Sequence, residues 1–187
     1  MKLPNPAAQT ISPTMELLDP DGQTAKLSLA HSHPYLVVQL VRYFGCLPCQ
    51  DWLIGLDRMG ADLAARGAVA TAVGGSADYQ ARWLRDERGV SMPLLLDPEH
   101  AFREAVDMTA PLGMRLADPR GISAYVASLA RGNRPQRITK DTVRSPGVVI
   151  LDRNLAVVWR HEGVRIGDYP THATVLDALD GMGVPSQ

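Results

Sequence analysis

An apolar run, Tyr35-Leu36-Val37-Val38-Gln39-Leu40-Val41, passes through Cys46-Leu47-Pro48-Cys49 into an amphipathic segment, Gln50 to Arg66. This order reads as strand, short turn and helix, with both cysteines at the helix start. Pro48 fits a first helical turn, because it has no N–H to lose and its φ is preset. Three residues of helix bring the two sulfurs to one side, near enough to bridge. The unpaired N–H groups and partial positive charge of a helix N-terminus favour thiolate over thiol. Such placement lowers a cysteine pKa from about 8.5 to roughly 3.5–7.5. Cys46, read as the more exposed end, is then the nucleophile and Cys49 its resolving partner.

Two other readings stand beside this one. Free cysteine also serves as a buried apolar filler. A zinc site would need ligands such as His31 and His33, since the chain has no second cysteine pair. A CxxC at a strand–helix junction without a second pair favours redox chemistry.

Composition narrows the class. The chain of 187 residues is expected to form one domain, 1–187, with an irregular leader at 1–13 that carries three prolines. With 19 basic and 20 acidic residues, nothing points to a nucleic-acid partner or an anionic membrane surface. No apolar run is long enough to span a bilayer, and the N-terminus shows no secretory h-region. Two close cysteines in such a chain fit a reducing compartment, so the expected location is cytoplasmic.

Along the chain, Asp19-Pro20-Asp21-Gly22 separates Thr14–Leu18 from Lys26–Leu29 and predicts a β-hairpin. Tyr35–Val41 predicts a strand buried on both faces. Trp52, Leu56, Met59 and Leu63 form one apolar stripe on the following helix, which Gly67 ends. A second strand is expected at Ala68–Val73. Gly74-Gly75-Ser76 after it lacks the dinucleotide fingerprint and predicts a tight turn, with Ser76 capping a helix over Ala77–Arg88. Pro93–Leu96 predicts a strand, and Asp97-Pro98-Glu99 the start of a short helix reaching Val106. Asp118-Pro119 opens another helix, to Ala130, followed by a basic loop over Arg131–Arg144. Residues 107–145 therefore read as an insertion. Val148–Leu151 and Leu155–Trp159, joined by three residues, form an antiparallel pair. Thr171–Met182 is the closing helix, with Val175, Leu176 and Leu179 facing inward.

This order resembles an α/β thioredoxin-like fold, a central mixed sheet flanked by helices. The N-terminal hairpin is similar to the extension of the alkyl hydroperoxide reductase and thiol-specific antioxidant (peroxiredoxin) superfamily. Val41-Arg42-Tyr43-Phe44-Gly45-Cys46-Leu47-Pro48-Cys49 resembles the R-x-x-G-C-x-x-C junction of its peroxiredoxin-like branch, which includes prostamide/prostaglandin F synthase-like proteins. Pro146 to Asp152 with Trp159-Arg160-His161 resembles that branch's late hairpin. The P-x-x-x-T-x-x-C motif of true peroxiredoxins is absent in this register, since Gln39 and Tyr43 stand at its proline and threonine. The superfamily's distal arginine falls near Pro146.

The resemblance implies a thiol–disulfide oxidoreductase acting on disulfides or hydroperoxides, with Cys46 and Cys49 catalytic and no metal or organic cofactor. Thioredoxin or a low-molecular-weight thiol is the implied reductant, and a homodimer is among the assemblies it allows. Arg42 would add positive charge near Cys46, and Tyr43 or Trp52 would flank the site. Ser145-Pro146 is the expected cis-proline position, presenting the Ser145 backbone to substrate. The rival readings are a redox-inactive interaction module of the same fold and a zinc-binding CxxC protein. A pair of sulfurs pointing apart, or sealed in apolar surroundings, would contradict the catalytic reading.

Overall fold

The computed structural model describes residues 9–27, 32–112, 117–139 and 143–183. Their strands are β1 (Glu16–Leu18), β2 (Thr24–Lys26), β3 (Tyr35–Leu40), β4 (Ala68–Gly74), β5 (Leu94–Leu96), β6 (Gly147–Asp152) and β7 (Val157–Glu162). The helices are α1 (Leu47–Arg58), α2 (Gly60–Ala64), α3 (Asp78–Asp86), α4 (Ala101–Ala105), α5 (Pro119–Ala130) and α6 (His172–Met182). The strands form one mixed sheet in the order β2-β1-β5-β4-β3-β6-β7. β3 runs parallel to β4 and antiparallel to β6, which makes it an interior strand paired along both edges. This is the thioredoxin-like peroxiredoxin architecture that the element order implied.

The sheet is buried on both faces because its central strands are apolar at successive positions. Tyr35, Val37 and Val41 join Val148 and Ile150 in the core under α1, α3 and α6. Leu36, Val38 and Leu40 join Val149, Leu151, Phe102 and Val106 on the opposite face. Gln39 is the one polar residue of β3, and it lies on the α1 side, where its Nε2 donates to the Cys49 carbonyl at 3.1 Å. Two glycines are required by geometry. Gly67 ends the α1–α2 segment at φ +67, and at Gly74 a Cβ would lie 2.5 Å from Phe44 Cε2.

Several boundaries differ from the sequence reading. The helix expected through Arg66 breaks at Met59–Gly60 into α1 and α2. Ala77, not Ser76, occupies the N-cap of α3. The helix expected from Asp97 begins only at Ala101, because His100 is left-handed (φ 60). Asp97 still serves it, accepting from the Phe102 and Arg103 amides at 3.0 and 3.4 Å. β2 starts two residues earlier than expected, and β7 runs on to Glu162. The described part of the leader is tied down, since Ile11 is buried and its amide donates to the Leu155 carbonyl at 2.9 Å. Among the described residues, no helix is long and apolar enough to cross a membrane.

Candidate active site

The chain leaves the sheet at Val41, whose amide still pairs with the Val73 carbonyl at 2.9 Å. Arg42–Gly45 then turn back toward α1. Gln80 of α3 fixes this turn by accepting from the Gly45 amide at 2.9 Å, and the Cys46 amide donates to Tyr43 at 3.1 Å. Cys46 is the N-cap of α1, with no side-chain capping bond, and Cys49 lies in its first turn. The two sulfurs are hydrogen-bonded at 2.7 Å.

Both cysteines are fully buried, so Cys46 is not the more exposed end that the sequence suggested. The enclosure is not purely apolar. Arg42 is itself buried, and its Nη1 donates to Cys46 Sγ at 3.7 Å while its guanidinium lies 5.8 Å from the centre of the Tyr43 ring. The Tyr43 hydroxyl meets the Tyr125 hydroxyl of α5 at 3.1 Å. Tyr169, from the loop before α6, donates to the Leu40 carbonyl at 3.2 Å and stacks on Trp52 with ring centres 5.0 Å apart.

These neighbours set the acidity of the pair. Desolvation pushes the Cys49 thiol up, but the Cys46 thiol, the Arg42 guanidinium and the Tyr169 hydroxyl outweigh it and bring Cys49 down to about 7. Desolvation also pushes Cys46 up, and the adjacent Cys49 adds to that rise, so Cys46 lies well above its ordinary value despite Arg42. A second anion 2.7 Å from the first is therefore disfavoured. The buried pair loses its first proton at about 7, on the Cys49 side, and holds the second well above the ordinary cysteine range.

The late proline does not take the expected form. The Ser145–Pro146 bond is trans, as is every described peptide bond. The Ser145 carbonyl is not offered to substrate either, because Arg103 Nη1 donates to it at 2.8 Å. Arg103 Nη2 donates to the Val41 carbonyl at 2.7 Å, so this buried guanidinium joins the end of β3 to the start of β6. The physical reason is the cost of an unsatisfied buried cation, for which two main-chain oxygens supply acceptors.

The structure thus brings Arg42, Tyr43, Cys46 and Cys49 together and leaves Ser145 and Pro146 in a supporting role behind Arg103. Sequence reasoning missed Arg103, Tyr125 and Tyr169. Arg103 follows Phe102 on a five-residue helix with no period to mark it, and the two tyrosines arrive from far along the chain. Residues 107–145 contribute α5, which covers the cysteine turn. Ser128 donates to the Leu47 carbonyl at 2.8 Å, and Arg131 Nε donates to Asp51 at 2.7 Å. Of the zinc alternative, His31 lies outside the described residues. Among the described residues, no three His, Cys, Asp or Glu side chains are grouped to hold a metal.

The AhpC/TSA family model matches residues 8–160. No curated protein matches the chain. Among solved structures, it is similar to the bacterioferritin comigratory protein of Xanthomonas campestris, studied for alkyl peroxide reduction, at 17% identity. That match covers 95% of each chain with a TM-score of 0.66. It is also similar to the peroxidoxin BcpB of Mycobacterium tuberculosis, at 14% identity over 94% of this chain and 96% of that one (TM-score 0.64). A peroxiredoxin-like protein from Aquifex aeolicus matches at 11% identity over 89% and 82% (TM-score 0.63).

Proposed function

Because the chain belongs to the AhpC/TSA family and is a thiol-dependent oxidoreductase, we propose that Cys49 and Cys46 are its redox centre and that it reduces hydroperoxides. The observation that carries this reading is the pair of sulfurs 2.7 Å apart, sharing one ionisation near neutrality beside Arg42. The Cys49 thiolate attacks the terminal oxygen of the hydroperoxide. An S–O bond forms, the O–O bond breaks, and the alkoxide leaves to take a proton from solvent. Cys46 then attacks the sulfenic sulfur, forming the disulfide while the hydroxide departs with the Cys46 proton as water. An external thiol reductant returns the disulfide to two thiols.

These roles reverse the order expected from the sequence, because burial is equal and acidity is not. The i, i+3 spacing lets the disulfide close without α1 leaving its place. Both sulfurs are covered, so access requires local opening around the cysteine turn. α5 is tied to the cysteine turn by the Arg131–Asp51 ion pair, a type worth about 0–1 kcal/mol, by the buried Ser128 bond to the Leu47 carbonyl and by the Tyr43–Tyr125 hydroxyl pair, all of which such an opening would break.

Peroxide consumption with a dithiol reductant tests the reading in two variants. Cys46→Ser should still form a sulfenic acid that dimedone traps, but no intramolecular disulfide. Cys49→Ser should lose peroxide reactivity. The reverse pattern would return the nucleophile's role to Cys46, and full activity in both variants would overturn the proposal. Insulin reduction measured in parallel on the wild type separates hydroperoxide from general disulfide reduction.

A further inference from the structure

We propose that the cavity between α1, the end of α3 and the segment after α5 binds an acidic α-amino acid, a ligand with two carboxylates and one ammonium group. The cavity has a volume of about 550 Å³ and is lined by Asp51, Arg58, Arg88, Arg131, Asn133 and His172, among others. Small-molecule sites typically measure about 300–1,000 Å³. Three guanidinium groups stand there against one carboxylate, a surplus of two positive charges. Arg131 takes the Asp51 carboxylate, its Nε donating at 2.7 Å. Among the described residues, Arg58 and Arg88 have no ion-pair partner. Arg88 is steadied by Trp83, whose ring centre lies 5.5 Å from the guanidinium carbon.

A second observation comes from Asn133. The Ser128 hydroxyl gives its proton to the Leu47 carbonyl at 2.8 Å, so toward Asn133 it can only accept, and Asn133 Nδ2 lies 2.9 Å from it. The same Nδ2 stands 3.4 Å from Asp51 Oδ1, another acceptor. The amide is thereby oriented with its NH2 group toward both, which leaves Oδ1 as an acceptor on the other side. Asn133 is 4% exposed, and this oxygen has no hydrogen-bond partner. The cavity therefore calls for anionic oxygens at Arg58 and Arg88 and for a donor at Asn133. Water would serve Asn133 but bring no charge to the arginines. A plain carboxylate would serve the arginines and leave the Asn133 oxygen unpaired, which is costly in a buried site. An α-amino acid head group holds both chemistries on adjacent atoms. Its carboxylate meets the guanidinium groups, and its ammonium donates to Asn133 Oδ1 with the Asp51 carboxylate alongside. A second carboxylate on the ligand gives it net negative charge, which the surplus of arginines requires.

The probe is L-glutamate, and glutarate, which lacks the ammonium group, is its control. In a two-dimensional NMR titration of the reduced protein at low salt, glutamate should shift the Asn133 side-chain amide signals and saturate with a Kd of about 1 mM or lower. Glutarate should bind roughly fivefold or more weakly, having no donor for Asn133. Arg58→Gln and Arg88→Gln should each weaken glutamate binding by roughly tenfold or more, the loss expected for one charge-assisted contact. No shift at about 20 mM glutamate would overturn the proposal. Glutarate binding as tightly as glutamate would overturn it too, as would an unchanged Kd in both arginine variants. The glutarate comparison needs no substitution, so the proposal stays refutable even if a variant fails to fold.

Discussion

Replacing Arg42 with methionine removes the cation closest to the sulfur pair while keeping an unbranched, buried side chain. Arg42 Nη1 lies 3.7 Å from Cys46 Sγ, and Cys49 Sγ is 2.7 Å from that sulfur. The guanidinium is therefore within about 6 Å of the charge that Cys49 acquires. At an effective dielectric near 20, two unit charges at 6 Å interact by about 3 kcal/mol. This corresponds to about two pKa units. Arg42→Met should carry the first ionisation of the pair from about 7 to roughly 9. Thiolate at pH 7 would fall from about half of the molecules to about one in a hundred. Iodoacetamide alkylation of reduced protein across pH measures this directly: at pH 7 the rate should drop roughly fiftyfold, recovering above about pH 10. Arg42→Lys, which keeps the charge, should hold the midpoint closer to the wild type. A midpoint in Arg42→Met within half a unit of wild type would refute the claim that this cation sets the acidity of the pair.

Arg103→Met should destabilise the fold by about 2–5 kcal/mol in urea titration, because the Val41 and Ser145 carbonyls lose their donor in a buried site. A wild-type urea midpoint would mean that those oxygens find other partners. Gly74→Ala sets a Cβ 2.5 Å from Phe44 Cε2 and 2.9 Å from Val41 Cγ2. It should cost about 1–3 kcal/mol in thermal unfolding, and an unshifted melting temperature would contradict the close approach.

The fold was legible because its central strands announce themselves. Tyr35–Leu40 and Val148–Leu151 are apolar at nearly successive positions, as a strand covered on both sides must be, and both are interior strands of the sheet. The starts read at Asp118 and Thr171 hold to within a residue, and the structure makes each the N-cap, its side chain accepting a backbone N–H in the first turn. The cysteine spacing located the pair, but not which sulfur ionises first. That depends on how the chain packs around the motif: the buried Arg42 turns its guanidinium to Cys46 Sγ, and Tyr169, far along the chain, stacks on Trp52 of the same helix. Asp97 shows a local signal read correctly in kind and misplaced in position. Its carboxylate does serve the helix N-terminus, but from outside, because His100 adopts a left-handed conformation before the helix starts.

Burial and ionisation oppose each other at the pair, and the balance should appear as a pH dependence that one redox state has and the other lacks. In the reduced protein Cys49 titrates near 7 when folded and near 9.0 when unfolded. Its depressed folded pKa stabilises the native state above the unfolded value, and that contribution is lost as pH falls through 7. Cys46 has the opposite sign. Its raised folded pKa keeps a proton that the unfolded chain releases above about 9, so its contribution disappears as pH rises beyond that point. The stability of the reduced protein should therefore climb from pH 7 to pH 9, by on the order of 1–3 kcal/mol, and decline above. In the oxidised protein neither sulfur carries a proton in either state, so this component vanishes. Urea denaturation of both forms across pH isolates it as a difference, in which every other titrating group cancels to first order. A gap between the two forms that stays constant from pH 6 to pH 9 would mean that the buried pair carries no charge near neutrality. The acidity assigned to Cys49, and the nucleophilic role built on it, would then have to be withdrawn.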